Sequence, residues 1–120
     1  MKMNNNQIYT YATNLASFKL EQKLPIRINF FLQKNIQEIQ KLAQEINEAR
    51  IGIAQEFGEP NTDGTGYIIP PHRIAEAQKE LDDLFAIEQE VNIHMFKLDE
   101  FDGIELTMEQ LSAIMFMIEE

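Results

Sequence analysis

Carboxylates are the residues in this chain whose type and clustering could do chemistry. Asp82, Asp83, Glu88, Glu90, Asp99, Glu100, Asp102 and Glu105 fall within 24 positions. Paired carboxylates act as acid and base in glycosidases, and converging ones hold calcium through oxygen ligands. An EF-hand loop needs Asp at alternating positions, a central Gly and a Glu at the twelfth, and the stretch from Asp99 to Gln110 lacks that order. What remains is a solvated acidic face, or a surface that engages a basic protein and competes with nucleic acid for it.

Other catalytic constellations are poorly represented. His72 and His94 are the two histidines and neither has a second histidine at helical ligand spacing, so the expectation is structural histidines and no metal. Ser17 and Ser112 are the two serines, and neither sits in a Gly-x-Ser-x-Gly elbow. Asp63-Gly64-Thr65-Gly66 reads as a turn. A phosphate loop is not expected there, because an extended Pro-Pro segment follows where a helix would be required. With no cysteine in the chain, disulfides, zinc-thiolate sites and thiol nucleophiles drop out together. No cofactor and no enzymatic activity are expected.

Charge is unevenly placed. Residues 1–57 carry 7 Lys or Arg against 5 Asp or Glu and residues 58–120 carry 3 against 15, giving +2 and −12, which sum to the net −10. Such a field disfavours direct binding to nucleic acid or anionic lipid and favours a basic protein partner. The N-terminal stretch is polar, without the apolar core of a secretory signal, and the longest apolar run, Ala113 to Ile118, is far shorter than the roughly 20 residues that span a bilayer. The sequence therefore predicts a soluble protein that is neither exported nor membrane-bound. Its lack of cysteine fits an intracellular location.

The elements that must position these residues are mostly helical, and one domain over 1–120 is expected. Ile8, Tyr11, Ala12, Leu15 and Phe18 predict a helix from about 5 to 19, capped by Asn5 or Asn6 and followed by a break at Leu24-Pro25. Ile26 to Asn29 reads either as a brief strand or as a helix opening behind Pro25. From Leu32 through Ile36, Ile39, Ile46 and Ile53 to Phe57 the spacing predicts a helix over 29–57, ended by Gly58. Residues 59–66 predict a surface loop. Pro70-Pro71 opens a helix with Ile74, Ala77, Leu81, Leu84 and Phe85 on one face, set antiparallel against the long helix.

Beyond Glu90 the alternation from Val91 to Leu98 predicts a strand, returning through Asp99–Gly103 to a second short strand at Ile104–Leu106. Thr107 and Gln110 form a capping box that opens a last helix. The fold class is thus α+β, mostly α: a long central helix in an antiparallel helical hairpin, with a small C-terminal β-hairpin and short helix. Ala113–Ile118 is apolar on all sides. Core burial is the ordinary explanation, and Met115 with Phe116 offers a docking or self-association surface as the alternative.

Leu24-Pro25 followed by Phe30-Phe31-Leu32-Gln33-Lys34-Asn35, then Gln89-Glu90-Val91-Asn92-Ile93, and Ile104-Glu105-Leu106-Thr107 leading into Ile114–Glu119 resemble a family of small uncharacterised proteins of tailed phages and prophages, mostly of Gram-positive hosts. The resemblance covers the long helix and the C-terminal third. It implies a phage product acting in the host cytoplasm or built into a virion, and it assigns no site residues. Two functions are expected from the whole: a protein-binding factor whose acidic surface blocks a basic host protein, or a self-associating virion or assembly component.

Overall fold

The computed structural model describes residues 1–20, 22–64 and 66–119. A 32-residue helix, α2 (Ile26–Phe57), runs about 48 Å and sets the long dimension of a molecule measuring 56 × 30 × 22 Å. Its apolar positions Ile28, Leu32, Ile36, Ile39, Leu42 and Ile46 are buried in one continuous core. The ambiguous Ile26–Asn29 stretch is therefore helix. Pro25 stands at the cap position with extended backbone, and its carbonyl accepts from the Asn29 N–H at 3.0 Å.

Helix α1 (Asn5–Ala16) is capped by Asn4, not by Asn5 or Asn6. The Asn4 side chain accepts from the Gln7 N–H at 2.7 Å, and the Gln7 side chain accepts from the Asn4 N–H at 2.9 Å. Asn5 is buried and does another job: its amide donates to the Leu84 carbonyl at 2.8 Å and accepts from Gln89 at 2.6 Å. That ties α1 to the end of α3 (Ile74–Ala86), which follows a 3-10 turn at Pro71–Arg73. Helix α3 returns along α2 as the helical hairpin predicts. Arg73 reaches back to the Glu56 carbonyl at 3.2 Å and covers the Phe57 ring at 4.7 Å.

The expected loop between the two helices is tighter than its composition suggests. Strands β2 (Glu59–Pro60) and β3 (Tyr67–Ile68) pair antiparallel, and Gly64 supplies the positive φ of 73° in the turn between them. Gly58 ends α2 in an extended conformation. Glycine is needed there for closeness rather than for handedness, since a Cβ at that position would lie 2.6 Å from the Ala54 carbonyl oxygen.

The C-terminal third keeps the expected mixture of strands and a short helix, but the strands pair differently. β4 (Glu88–Glu90) lies antiparallel to β1 (Lys2–Asn4), with Met3 opposite Gln89. β5 (Phe96–Lys97) lies parallel to β6 (Ile118–Glu119). Neither Val91–Met95 nor Ile104–Leu106 is a strand, so the predicted hairpin between them is absent. The physical reason sits on α2. Buried Asn35 accepts from the His94 N–H at 2.8 Å and donates to the His94 carbonyl at 2.9 Å, giving that residue both the partners a neighbouring strand would have supplied. Leu98, the last residue of the predicted strand, and residues 99–101 of the predicted turn form a 3-10 turn.

Helix α4 (Met108–Ile114) opens with the predicted capping box, Thr107 accepting from the Gln110 N–H at 3.0 Å. It stops at Ile114 and continues as a 3-10 turn, Met115–Met117, into β6. The apolar run is mostly core: Ala113, Ile114, Met117 and Ile118 are buried.

Candidate functional site

The structure divides the eight candidate carboxylates into two groups. Asp82 and Asp83 project from α3, with Glu88 and Glu90 on the strand that follows it, and all four are exposed. Asp99, Glu100, Asp102 and Glu105 lie on the 3-10 turn and the segment after it, beside the start of α2. Because α3 starts at the far end of α2 and runs back along it, the two groups sit at different levels of α2, Asp82 and Asp83 roughly 30 Å of helix axis from Glu100. They do not form one acid/base pair or one cage. Among the described residues no three His, Asp or Glu side chains converge as a metal-binding group.

Within the first group, internal neutralisation is partial. Asp83 pairs with Lys79 at 3.4 Å one helical turn away, Glu88 with Lys2 across the β1–β4 pair at 3.5 Å, and Glu90 with the Met1 amino group at 3.5 Å. Asp82 accepts from Gln78 at 2.8 Å, a neutral partner that leaves its charge in place. Glu76 and Glu80, also exposed on α3, extend the same acidic face. Exposed ion pairs of this kind contribute little to stability, so nothing in the fold requires this density of charge.

Glu100 differs from its neighbours. Its carboxylate accepts from the Lys97 backbone N–H at 2.7 Å and forms an ion pair with Arg27 at the start of α2. The Lys97 N–H first, and Arg27 after it, hold the Glu100 carboxyl below its ordinary pKa against a smaller opposing effect of burial. Glu100 is therefore a structural link between the acidic segment and α2. Asp99, Asp102 and Glu105 have no ion-pair partner among the described residues.

His94 lies behind this link. Its ring stacks on Phe31 at 3.9 Å and meets Phe96 edge-on at 5.0 Å, with Arg27 on the Phe31 ring at 5.4 Å. Its Nε2 is buried without a hydrogen-bond partner. The surroundings are aromatic, with no nucleophile in contact, so the geometry is that of a packed ring. His72 is exposed at the start of the turn before α3.

Phe116 and Met115 part company. Phe116 stacks on Tyr11 at 4.2 Å and is half-buried, whereas Met115 is exposed. A larger apolar surface, not anticipated from the helical stripe, lies where α2 begins: Ile26 is 83% and Phe30 58% exposed, with Lys34 beside the Phe30 ring at 5.9 Å. Next to them a cleft of about 520 Å³ is lined by Phe18, Lys19, Lys23, Leu24 and Ile26. A smaller one of about 320 Å³ is lined by both Lys19 and Glu105. The sequence signal for this surface was present in the spacing of Ile26, Phe30 and Lys34, which lies off the 28-32-36-39 stripe. Compared with known proteins, the chain matches no family model, no curated protein and no solved structure.

Proposed function

We propose that this chain is a non-enzymatic, phage-encoded protein-binding factor that acts in the host cytoplasm, using its acidic surface to occupy a basic surface of a host protein such as a nucleic-acid-binding defence protein. The observation that supports this most is the α3–β4 face, where Asp82, Asp83, Glu88 and Glu90 are all exposed and, together with Glu76 and Glu80, outnumber the three cations that pair with them, Lys79, Lys2 and the Met1 amino group. Fixed negative charge on a helix surface attracts a basic partner and steers it from a distance. Binding through such a face is salt-sensitive, because exposed charges are screened beyond ~8 Å at physiological ionic strength.

The test is capture of basic host proteins by wild type and by Asp82→Lys/Asp83→Lys at low and high salt, followed by titration of the purified partner. A partner retained at low salt, released by salt and weakened about tenfold or more by the charge reversal supports the reading. Equal retention by the reversed variant sinks it.

A second reading, a virion or assembly component, is favoured by a separate observation: Ile26, Phe30, Leu98, Met108 and Met115 are large apolar side chains left open to solvent. Self-association that weakens on Met115→Glu would support it.

A further inference from the structure

Two surfaces of opposite character meet where α2 begins. One is basic and apolar: Lys19, Lys23 and Lys34 are exposed around Ile26 and Phe30, and none of the three lysines has an ion-pair partner among the described residues. The other is acidic and apolar: Asp99, Asp102 and Glu105 are exposed between Leu98, 61% exposed, and Met108, 79% exposed. Both are anomalies. The first concentrates positive charge on a chain of net −10, and each leaves large apolar side chains in water beside charges that lack a counterpart.

Their seam is fixed by three contacts. Arg27 and Glu100 pair across it. Gln22 donates to the Glu105 carbonyl at 2.6 Å, and Gln110 donates to the Lys19 carbonyl at 2.8 Å. The patches are thus neighbours on one end of the molecule, held rigidly side by side. Adjacent patches of opposite charge are self-complementary under a two-fold rotation: an axis through the seam lays the basic patch of one copy on the acidic patch of the other, twice. Each apolar group then meets an apolar group, and each charge a counter-charge, which is the arrangement of an apolar interface core with a charged rim.

We propose that a second copy of this chain docks across this end about a two-fold axis, the 19–34 surface of each protomer covering the 98–108 surface of the other. The dimer leaves Asp82 and Asp83 outward, roughly 30 Å along α2 from the seam, so it goes beyond the host-binding reading and does not depend on it. A dimer presents two acidic faces to a partner, and a bivalent contact holds more tightly than either face alone.

The experiment is sedimentation velocity on the full chain from low concentration to ~100 μM, a range in which a contact of this class is populated. Wild type is expected to sediment as a dimer at the upper end. Lys23→Glu/Lys34→Glu carries two acidic patches and Asp99→Lys/Asp102→Lys two basic ones, so each alone is expected to dimerise about tenfold more weakly or less. An equimolar mixture of the two variants restores the attraction on both sides of the axis and is expected to regain the dimer. That recovery separates lost contact from lost folding. Asp82→Lys/Asp83→Lys, which tests the host-binding reading, is expected to dimerise as wild type does. The proposal is overturned if wild type stays monomeric at the highest concentration, if the mixture stays monomeric, or if the α3 variant is the one that loses the dimer.

Discussion

Along α2 the first two-thirds and the last third are held in different ways. From Ile28 to Ile46 the helix is buried in a core that also takes Met3 and Ile8 from the start of the chain and Met117 and Ile118 from near its other end. Beyond Ile46 the buried residues are Phe57 and, opposite it on α3, Ala77, both outside that core, with the β2–β3 pair closing the tip. The first region joins segments distant in sequence and depends on specific polar contacts. The second is a two-helix arm whose partners are close in sequence. Stability therefore resides mainly in the first region, while the arm is free to carry surface charge at little cost.

The sharpest way to break that contrast is at Asn35. Asn35→Ala leaves the part-buried His94 N–H and carbonyl without their partner, and at about 1–3 kcal/mol for each unmet group the expected loss is about 2–6 kcal/mol in urea unfolding. A loss below ~1 kcal/mol would mean that residues 91–95 find water or another partner, and that the clamp is dispensable.

The arm should yield less. Gly58→Ala forces a Cβ against the Ala54 carbonyl oxygen, and a cost of roughly 1–3 kcal/mol is expected, since backbone on both sides must shift. Hydrogen exchange should localise the effect, with the amides of residues 54–58 and 67–74 exchanging faster and those of 28–46 unchanged. Acceleration spread over both regions would show that the arm and the core unfold as one unit.

The smallest effect is a pH dependence at the seam. Glu100 has a folded pKa below its usual value of 4.5, so the stability it contributes is present above that value and is lost as pH falls through the lowered one. Glu100→Gln should reduce the thermal midpoint at neutral pH, and the difference from wild type should close as pH falls below the ordinary carboxylate range. A difference that stays constant into acid would assign the effect to lost packing rather than to the charge.

Much of the framework could be read from residue spacing, and the reasons it could are local. The 32-36-39-46 stripe, the Pro-Pro start before α3 and the Thr107–Gln110 box each depend on residues a turn or two apart. The alternation from Val91 to Leu98 misled because period-two burial reports only that a segment is extended, not what its backbone bonds to. Here a side chain from the helix stands in for a strand. Asn35 carried the available signal: a polar residue set between Leu32, Ile36 and Ile39 on an otherwise apolar face has to bond to something. The eight carboxylates looked like one cluster for a similar reason. Nearness in sequence hid the turn of chain through β4 and residues 91–95 that carries the second group from the arm to the start of α2.

The pairing of β1 with β4 has a kinetic side. Asn5 and Gln89 are 84 positions apart, and Asn35 and Met117 are 82 apart, so the contacts that complete the core close very long loops. The α1–α2 and α2–α3 connections, residues 17–25 and 58–73, close short ones, so both helix pairs are expected to form early, with the β1–β4 pair and the C-terminal segment docking afterwards. During synthesis on a ribosome, β1 has to wait until residues 88–90 are made before it finds a strand to pair with. Over that interval Met3, buried in the finished core, remains open to other clients, and the hydrophilic run after it, Asn4, Asn5, Asn6 and Gln7, keeps the waiting segment in solution.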